Sequence, residues 1–226
     1  MQTTQKLSLP IMGCGTWAWG NRLLWGYDES MDDQLQAVFN LCVSQGVTLF
    51  DTGDSYGTGK LNGRSEQLLG RFSKEYLGSN SDKICLATKL AAYPWRLTRQ
   101  SMVSAGKASA QRLGRNVDLV QMHWSTANYA PWQEGALLEG LADLYEQGLV
   151  KGVGLSNYGP KRLKWVHQKL ADRGVPQPIL REDSHRQMVE RPNSLAVGKP
   201  PTLSAIASIF AIVGYLVYEF EHAHRD

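Results

Sequence analysis

An acid, a tyrosine, a lysine and a histidine follow successive apolar runs in this chain, and together their types suit one reaction. Asp51 closes "VTLFD" (Val47–Asp51), and Tyr56 comes five residues later on the glycine-rich "TGDSYGTG". Lys89 follows "KICLAT" (Lys83–Thr88), His123 ends "VDLVQMH" (Val117–His123), and Ser156 ends "LVKGVGLS" (Leu149–Ser156) with Asn157 next. A hydride reaching a carbonyl carbon needs a proton donor for the developing alkoxide. Tyrosine alone is a weak acid for that task, and a neighbouring ammonium eases proton release by stabilising the phenolate. Lys89 suits that part, Asp51 would hold Lys89 charged and in place, and His123 would aim the carbonyl. Ser156 and Asn157 could hold a nicotinamide carboxamide. Singly, each has a plainer reading: a turn-forming acid, a packing tyrosine, a solvated lysine, a core histidine. The ordered set at four successive strand ends is what singles them out.

Those strand ends need elements to carry them. The four runs are short, apolar and rich in Val, Ile or Leu, as strands buried on both faces are. Helical patterns separate them. In "SMDDQLQAVFNLCVSQG", Leu35, Val38, Phe39 and Cys42 share a face, Ser30 suits the N-cap and Gly46 the position after the C-cap. "EGALLEGLADLYEQG", "GPKRLKWVHQKLADRG" and "TRQSMVSAGKASAQRLG" read as three more helices, the last interrupted by Gly106. Alternating β and α predicts an α/β fold with a parallel sheet, doubly wound or closed as a barrel. In a barrel, chemistry gathers at the C-terminal ends of the strands.

The bounds agree. The chain has 226 residues, 20% charged and 42% hydrophobic, with a net charge of +3. That charge is small and scattered, which argues against a nucleic-acid partner. Cys14, Cys42 and Cys85 form no C-x-x-C pair, so we expect reduced thiols in a cytoplasmic setting, with no disulfide and no metal. "MQTTQKLSLP" has no apolar signal core and is too short for a transit peptide.

The residues "LFDTGDSYGTGKLNGRSEQLLGRF", "ATKLAAYPWRLT", "DLVQMHWST" and "GLVKGVGLSNYGPKRL" resemble the aldo-keto reductases. "MGCGTWAWGNRLLWGYDESMDDQL" and "MHWSTANYAPWQE" look most like the pyridoxal reductase-like branch. The resemblance covers Leu7 to Pro176. It implies a (β/α)8 barrel reducing small aldehydes, pyridoxal among them, with NADPH and no metal. It makes Tyr56 the acid, Lys89 and Asp51 its tuners, and His123 the residue orienting the carbonyl. It also sets Gly15, Thr16 and Trp17, with Asp51, beside the cofactor and substrate, and Ser156 and Asn157 at the nicotinamide.

After Val175 the family pattern stops. We expect a truncated barrel of about five βα units over 1–176 and a foreign tail over 177–226. The missing part of the pattern includes the groups that bind the adenosine 2′-phosphate. The tail should not complete the barrel: no strand from it should lie parallel beside Val150–Leu155, and the outer strands should keep unpaired edges. "TLSAIASIFAIVGYLVY" (202–218) should be helical, with a marginal length for a membrane helix. The alternatives to a working enzyme are therefore an impaired fragment that aggregates or pairs with another chain and, third, association with a membrane through this segment.

Two further signals need placing. "GCGTWA" (Gly13–Ala18) fits the dinucleotide fingerprint, yet Pro10 precedes it where a strand should lie, which disfavours a Rossmann site. Of seven tryptophans, Trp17, Trp95 and Trp124 should line the mouth, and Trp25, Trp132 and Trp165 should pack inside.

Overall fold

The computed structural model describes residues 7–10, 12–176, 179–181 and 211–214. Strands β1 (Met12–Gly15), β2 (Leu49–Asp51), β3 (Cys85–Leu90), β4 (Val117–Met122) and β5 (Val150–Ser156) lie parallel, side by side in chain order. The one-turn helix α1 (Arg22–Trp25) and the longer α2 (Asp32–Ser44) follow β1, and α3 (Arg64–Glu75) follows β2. Helices α4 (Arg99–Leu113), α5 (Pro131–Glu146) and α6 (Pro160–Ala171) follow β3, β4 and β5. A doubly wound sheet reverses its strand order at a switch point. Here the order never reverses across these five strands, so they form an arc of a (β/α)8 barrel.

Alternation along the strands separates two environments. Phe50, Leu86, Leu90, Val120, Met122 and Leu155 face the helices and join Leu35, Phe39, Leu68, Phe72, Leu137, Leu141 and Val166 in one core. The opposite residues, Leu49, Cys85, Ala87 and Leu119, form a second, smaller cluster covered by Leu7 and Leu9. Further along that inner face, toward the strand ends, come Asp51, Lys89 and Gln121. A two-residue period thus turns one parity mainly to the helix-packed core, and the other first to a small apolar cluster and then, toward the strand ends, to polar groups.

Local choices follow ordinary rules. Asp28 accepts the Ser30 N–H at 3.0 Å and caps a short 3-10 turn (Glu29–Met31) that leads into α2, so Ser30 is not the cap. Thr98 and Ser101 form a reciprocal capping box on α4. Gly106 is not a flaw in α4: a Cβ there would sit 2.7 Å from the Leu144 side chain, and one on Gly140 would sit 2.5 Å from Arg99 O and Met102 Cβ. The two glycines let α4 and α5 approach closely. Arg99 and Arg173 both bind the Asp143 carboxylate, and Arg173 also reaches Glu139 and Glu146, which ties α4, α5 and the end of α6 together.

The sheet edges differ from expectation. Ile179–Arg181 form β6, parallel to β5 with Leu155 opposite Leu180, and Ala211–Gly214 form β7, antiparallel to β1 with Cys14 opposite Ile212. A parallel strand therefore does lie beside β5, and both edges are paired. Ala211–Gly214 is strand rather than helix. The physical reason is common to both: an open edge presents unpaired N–H and C=O groups, and an extended segment beside it satisfies them. The rest of 202–218 lies outside the described residues. Among the described residues no helix is long and apolar enough to cross a membrane.

The fingerprint glycines Gly13 and Gly15 lie within β1 rather than in a turn that opens a helix. Trp132 is 74% exposed, and Trp25 and Trp165 are also at the surface, while Trp19, at 1%, is the tryptophan in the core. Trp165 finds its partner outside, under the Arg162 guanidinium at 3.7 Å.

Candidate active site

The polar end of the inner face begins with Asp51 and Lys89. Both side chains are wholly buried, and the Lys89 ammonium donates to Asp51 Oδ2 and, at 2.9 Å, to Thr52 O. An isolated charge here would be very costly, so the pair exists as a pair. Lys89 Nζ lies 4.9 Å from the centre of the Tyr56 ring. The His123 ring meets that ring edge-on from another side, with centres 5.7 Å apart. The four residues expected to converge do share one place, at the C-terminal ends of β2, β3 and β4.

Tyr56 rests on a loop that is itself braced. Its N–H bonds Gly53 O at 3.0 Å, and its carbonyl accepts from Gly63 N at 2.8 Å. Gly57 follows at φ 114°, and a Cβ there would overlap the Leu61 carbonyl, so the turn after Tyr56 requires glycine. Asp54 fastens the loop to the end of β3: its N–H bonds Lys89 O at 2.9 Å, and its carboxylate accepts from Ala91 N at 3.0 Å and Arg96 Nη1 at 2.8 Å. Burial pushes the Asp54 carboxyl above its usual range, and the Arg96 guanidinium works against that rise. Gln133 Nε2, on α5, then holds the carbonyls of Tyr93 (2.6 Å) and Arg96 (2.7 Å), which fixes the loop where Tyr93 and Trp95 stack 4.6 Å apart.

Beneath the rim, Ser65 gathers three groups. Its hydroxyl donates to Thr16 O at 2.8 Å and receives from Thr16 Oγ1 at 2.7 Å and Thr52 Oγ1 at 3.0 Å. Neighbouring Glu66 is buried and accepts from Thr88 Oγ1 and Arg112 Nε, each at 2.5 Å. Thr16, which the resemblance sets beside a cofactor, is wholly buried and forms part of this brace. Gly15 lies next to Asp51 in the sheet register, and Trp17 is 40% exposed, edge-on to Trp25 at 5.7 Å.

On the far side, Asn157 takes a left-handed backbone (φ 60°) as the chain leaves β5. Its Nδ2 donates to His123 O at 2.9 Å and Ser156 Oγ at 3.2 Å, tying the β5 exit to the β4 exit. His123 Nδ1 lies 3.4 Å from Ser55 Oγ, one residue before Tyr56. Trp124 Nε1 donates to Tyr129 Oη at 2.5 Å.

Gln121, Asp54, Ser65 and Glu66 were not singled out from the sequence. Gln121 had a signal, since it lies two residues before His123 and hence on the same face. The other three lie outside the apolar runs, where neither alternation nor spacing marks them.

Comparison with known proteins adds lineage to this geometry. Residues 11–177 match the aldo/keto reductase family. The chain belongs to that family. Among curated proteins, this aldo/keto reductase is 57% identical over 173 residues to the chloroplastic pyridoxal reductase of Arabidopsis thaliana, covering 75% of this chain and 47% of that one. It is 32% identical over 160 residues to aldo-keto reductase YhdN of Bacillus subtilis, covering 67% of this chain and 44% of that one. The chain thus spans about half the length of the curated relatives it matches. Among solved structures, the thermostable aldo-keto reductase Tm1743, in complex with the inhibitor epalrestat, overlays with a TM-score of 0.60 at 24% identity, covering 80% of this chain and 62% of that one. A Klebsiella pneumoniae aldo/keto reductase, in complex with NADP and acetate, overlays at 0.58 and 22%, covering 73% and 51%. At those identities the likeness is one of fold, and the fold is the one the strand order indicates.

Proposed function

We propose that this aldo/keto reductase reduces small aldehydes with NADPH, and that pyridoxal is the first substrate to try. The observation that carries the reading is the buried Lys89–Asp51 pair with its ammonium 4.9 Å from the Tyr56 ring centre. In this reading Tyr56 Oη gives its proton to the carbonyl oxygen as negative charge develops there. The Lys89 ammonium stabilises the phenolate left behind, and Asp51 keeps that ammonium charged and in position. His123 offers a ring N–H to the same oxygen and turns the carbonyl toward Tyr56. The reduced nicotinamide, when bound, supplies the hydride.

The residues present fit the nicotinamide end of that cofactor. Ser156 and Asn157 each carry a donor and an acceptor, the combination a carboxamide needs, and both lie at the β5 exit beside His123. Pyridoxal is suggested by the Arabidopsis relative, a pyridoxal reductase, and the phosphorylated nicotinamide cofactor by the Klebsiella enzyme, solved in complex with NADP. The division into a reductase unit over 1–176 and a separate tail over 177–226 belongs to the same reading and is supported by the family match over 11–177. A reducing compartment is part of it too: the three cysteines are free thiols, and the Arabidopsis relative is named chloroplastic.

The test pairs binding with turnover. NADPH should quench tryptophan fluorescence saturably, and pyridoxal should then drive NADPH oxidation. Tyr56→Phe should lower that rate by about 10²–10⁴-fold while NADPH affinity is kept. Near-normal turnover in the variant would remove Tyr56 from the chemistry. Binding without turnover in the parent chain would favour the impaired-fragment reading, and no binding would exclude a working reductase.

A further inference from the structure

The two oxygens of Asp51 are held by different neighbours. Oδ2 meets the Lys89 ammonium, while Oδ1 accepts a hydrogen bond of 2.8 Å from Gln121 Nε2. Gln121 is wholly buried on β4, where the register sets it between Lys89 of β3 and Gly154 of β5. A carboxylate only accepts, so the amide must turn its nitrogen toward Asp51. Its carbonyl Oε1 is then left buried with no hydrogen-bond partner among the described residues. For packing alone this is a poor choice, because a hydrocarbon of the same volume would fill the site without an unmet acceptor.

The amide N–H does something hydrocarbon cannot. The Asp χ2 torsion is broad and soft, so one ion pair does not fix the plane of the carboxylate. A donor on the second oxygen does. We propose that Gln121 is a positioning residue: it locks the rotation of Asp51 so that Oδ2 stays on Lys89 and the ammonium stays under Tyr56. The inference rests on the catalytic reading above, since its value lies in where Lys89 is held, but its test does not require turnover.

The Lys89 ammonium can be followed by NMR in protein labelled with ¹⁵N-lysine, its signal identified by its disappearance in Lys89→Arg. In the parent chain, exchange of these protons with water should be slow. In Gln121→Leu and Gln121→Met it should speed by on the order of tenfold or more, while amide protection across β3 and β4 is retained. If the chain turns over aldehyde, both variants should lose kcat by up to about 10²-fold with KM and NADPH affinity unchanged. Unchanged exchange at Lys89 in either folded variant would overturn the proposal. So would a failure of both variants to fold, which would make Gln121 a scaffold residue. A parent chain that reduces no aldehyde would count against the catalytic reading and leave the exchange result standing.

Discussion

Lys89 on β3 and Asp51 on β2 form a fully buried ion pair across neighbouring strands, Asp51 standing opposite Ala87 in the register and Lys89 two residues further along the same face. Breaking such a pair from one side leaves a buried charge, and replacing both ends does not. Lys89→Met should therefore destabilise the fold by about 3–5 kcal/mol. The double variant Asp51→Asn with Lys89→Met should recover most of that loss. Urea unfolding midpoints of the parent, single and double variants check it; a double variant as unstable as the single would show that the pair's charges are not what the core balances.

Two glycines on α5 give opposite expectations for one substitution. Gly140 faces Arg99 O and Met102 Cβ at 2.5 Å, whereas a Cβ on Gly135 would meet nothing within 4 Å. Gly140→Ala should cost about 1–3 kcal/mol through forced separation of α4 and α5. Gly135→Ala should stabilise by up to about 1 kcal/mol, the helix-propensity gain alone. Thermal unfolding of the two variants side by side decides it.

Acid should weaken the clamp between α4, α5 and the end of α6. The hydrogen bond from Arg99, followed by that from Arg173, holds the Asp143 carboxyl below its usual range against the effect of burial. A lowered folded value means that the stability it contributes is complete above the unfolded-chain value near 3.8 and is lost as pH falls through the folded one. Asp143→Asn should lack this contribution. Its deficit in urea midpoint relative to the parent should be largest near neutrality and shrink between about pH 5 and pH 2. A deficit independent of pH would show that Asp143 acts through shape alone.

Cys42 and Cys85 are almost equally covered, at 9% and 8% exposure, so their reactivities should be ordered by thiolate content. A hydrogen bond with Cys14 pulls the Cys42 thiol below its ordinary range, while burial pushes Cys85 up to about 12. Iodoacetamide on the native protein at about pH 8 should alkylate Cys42 before Cys85. Peptide mass spectrometry over a time course reads the order directly, and simultaneous labelling would mean that local opening controls access.

Much of the arc was legible in the sequence because β2 to β5 are covered on both faces and hence apolar in nearly unbroken runs. Strand β1 is not legible in the sequence: "MGCG" has little intrinsic β preference, and its pairing with β2 holds it extended. Helix α3 carries a clear helical period, Leu68, Leu69 and Phe72 opposite a charged face, so its existence is legible; that its buried Ser65 and Glu66 serve polar braces rather than the core is not. At the site, residues at strand ends could be found by position. The bracing groups on the loop and on α3 could not, since their partners are distant in the chain: Thr16 with Ser65 spans 49 residues and Arg112 with Glu66 spans 46. The edge strands are not legible in the sequence because what decides them is a vacancy in the sheet, a property of the assembled fold rather than of the segment that fills it.

The strict two-residue alternation of β4 also sets which kinds of genetic change this region can absorb. A substitution at Val120 or Met122 changes one contact with the helices. A single inserted codon between Val117 and Gln121 inverts the phase of everything after it: either Gln121 turns into the helix-packed core while Val120 faces Asp51, or the strand must bulge to restore its phase. Length variation in the lineage of this protein should therefore be confined to the loops between strand and helix, and the interior of β4 should be nearly free of insertions and deletions even where its side chains have drifted.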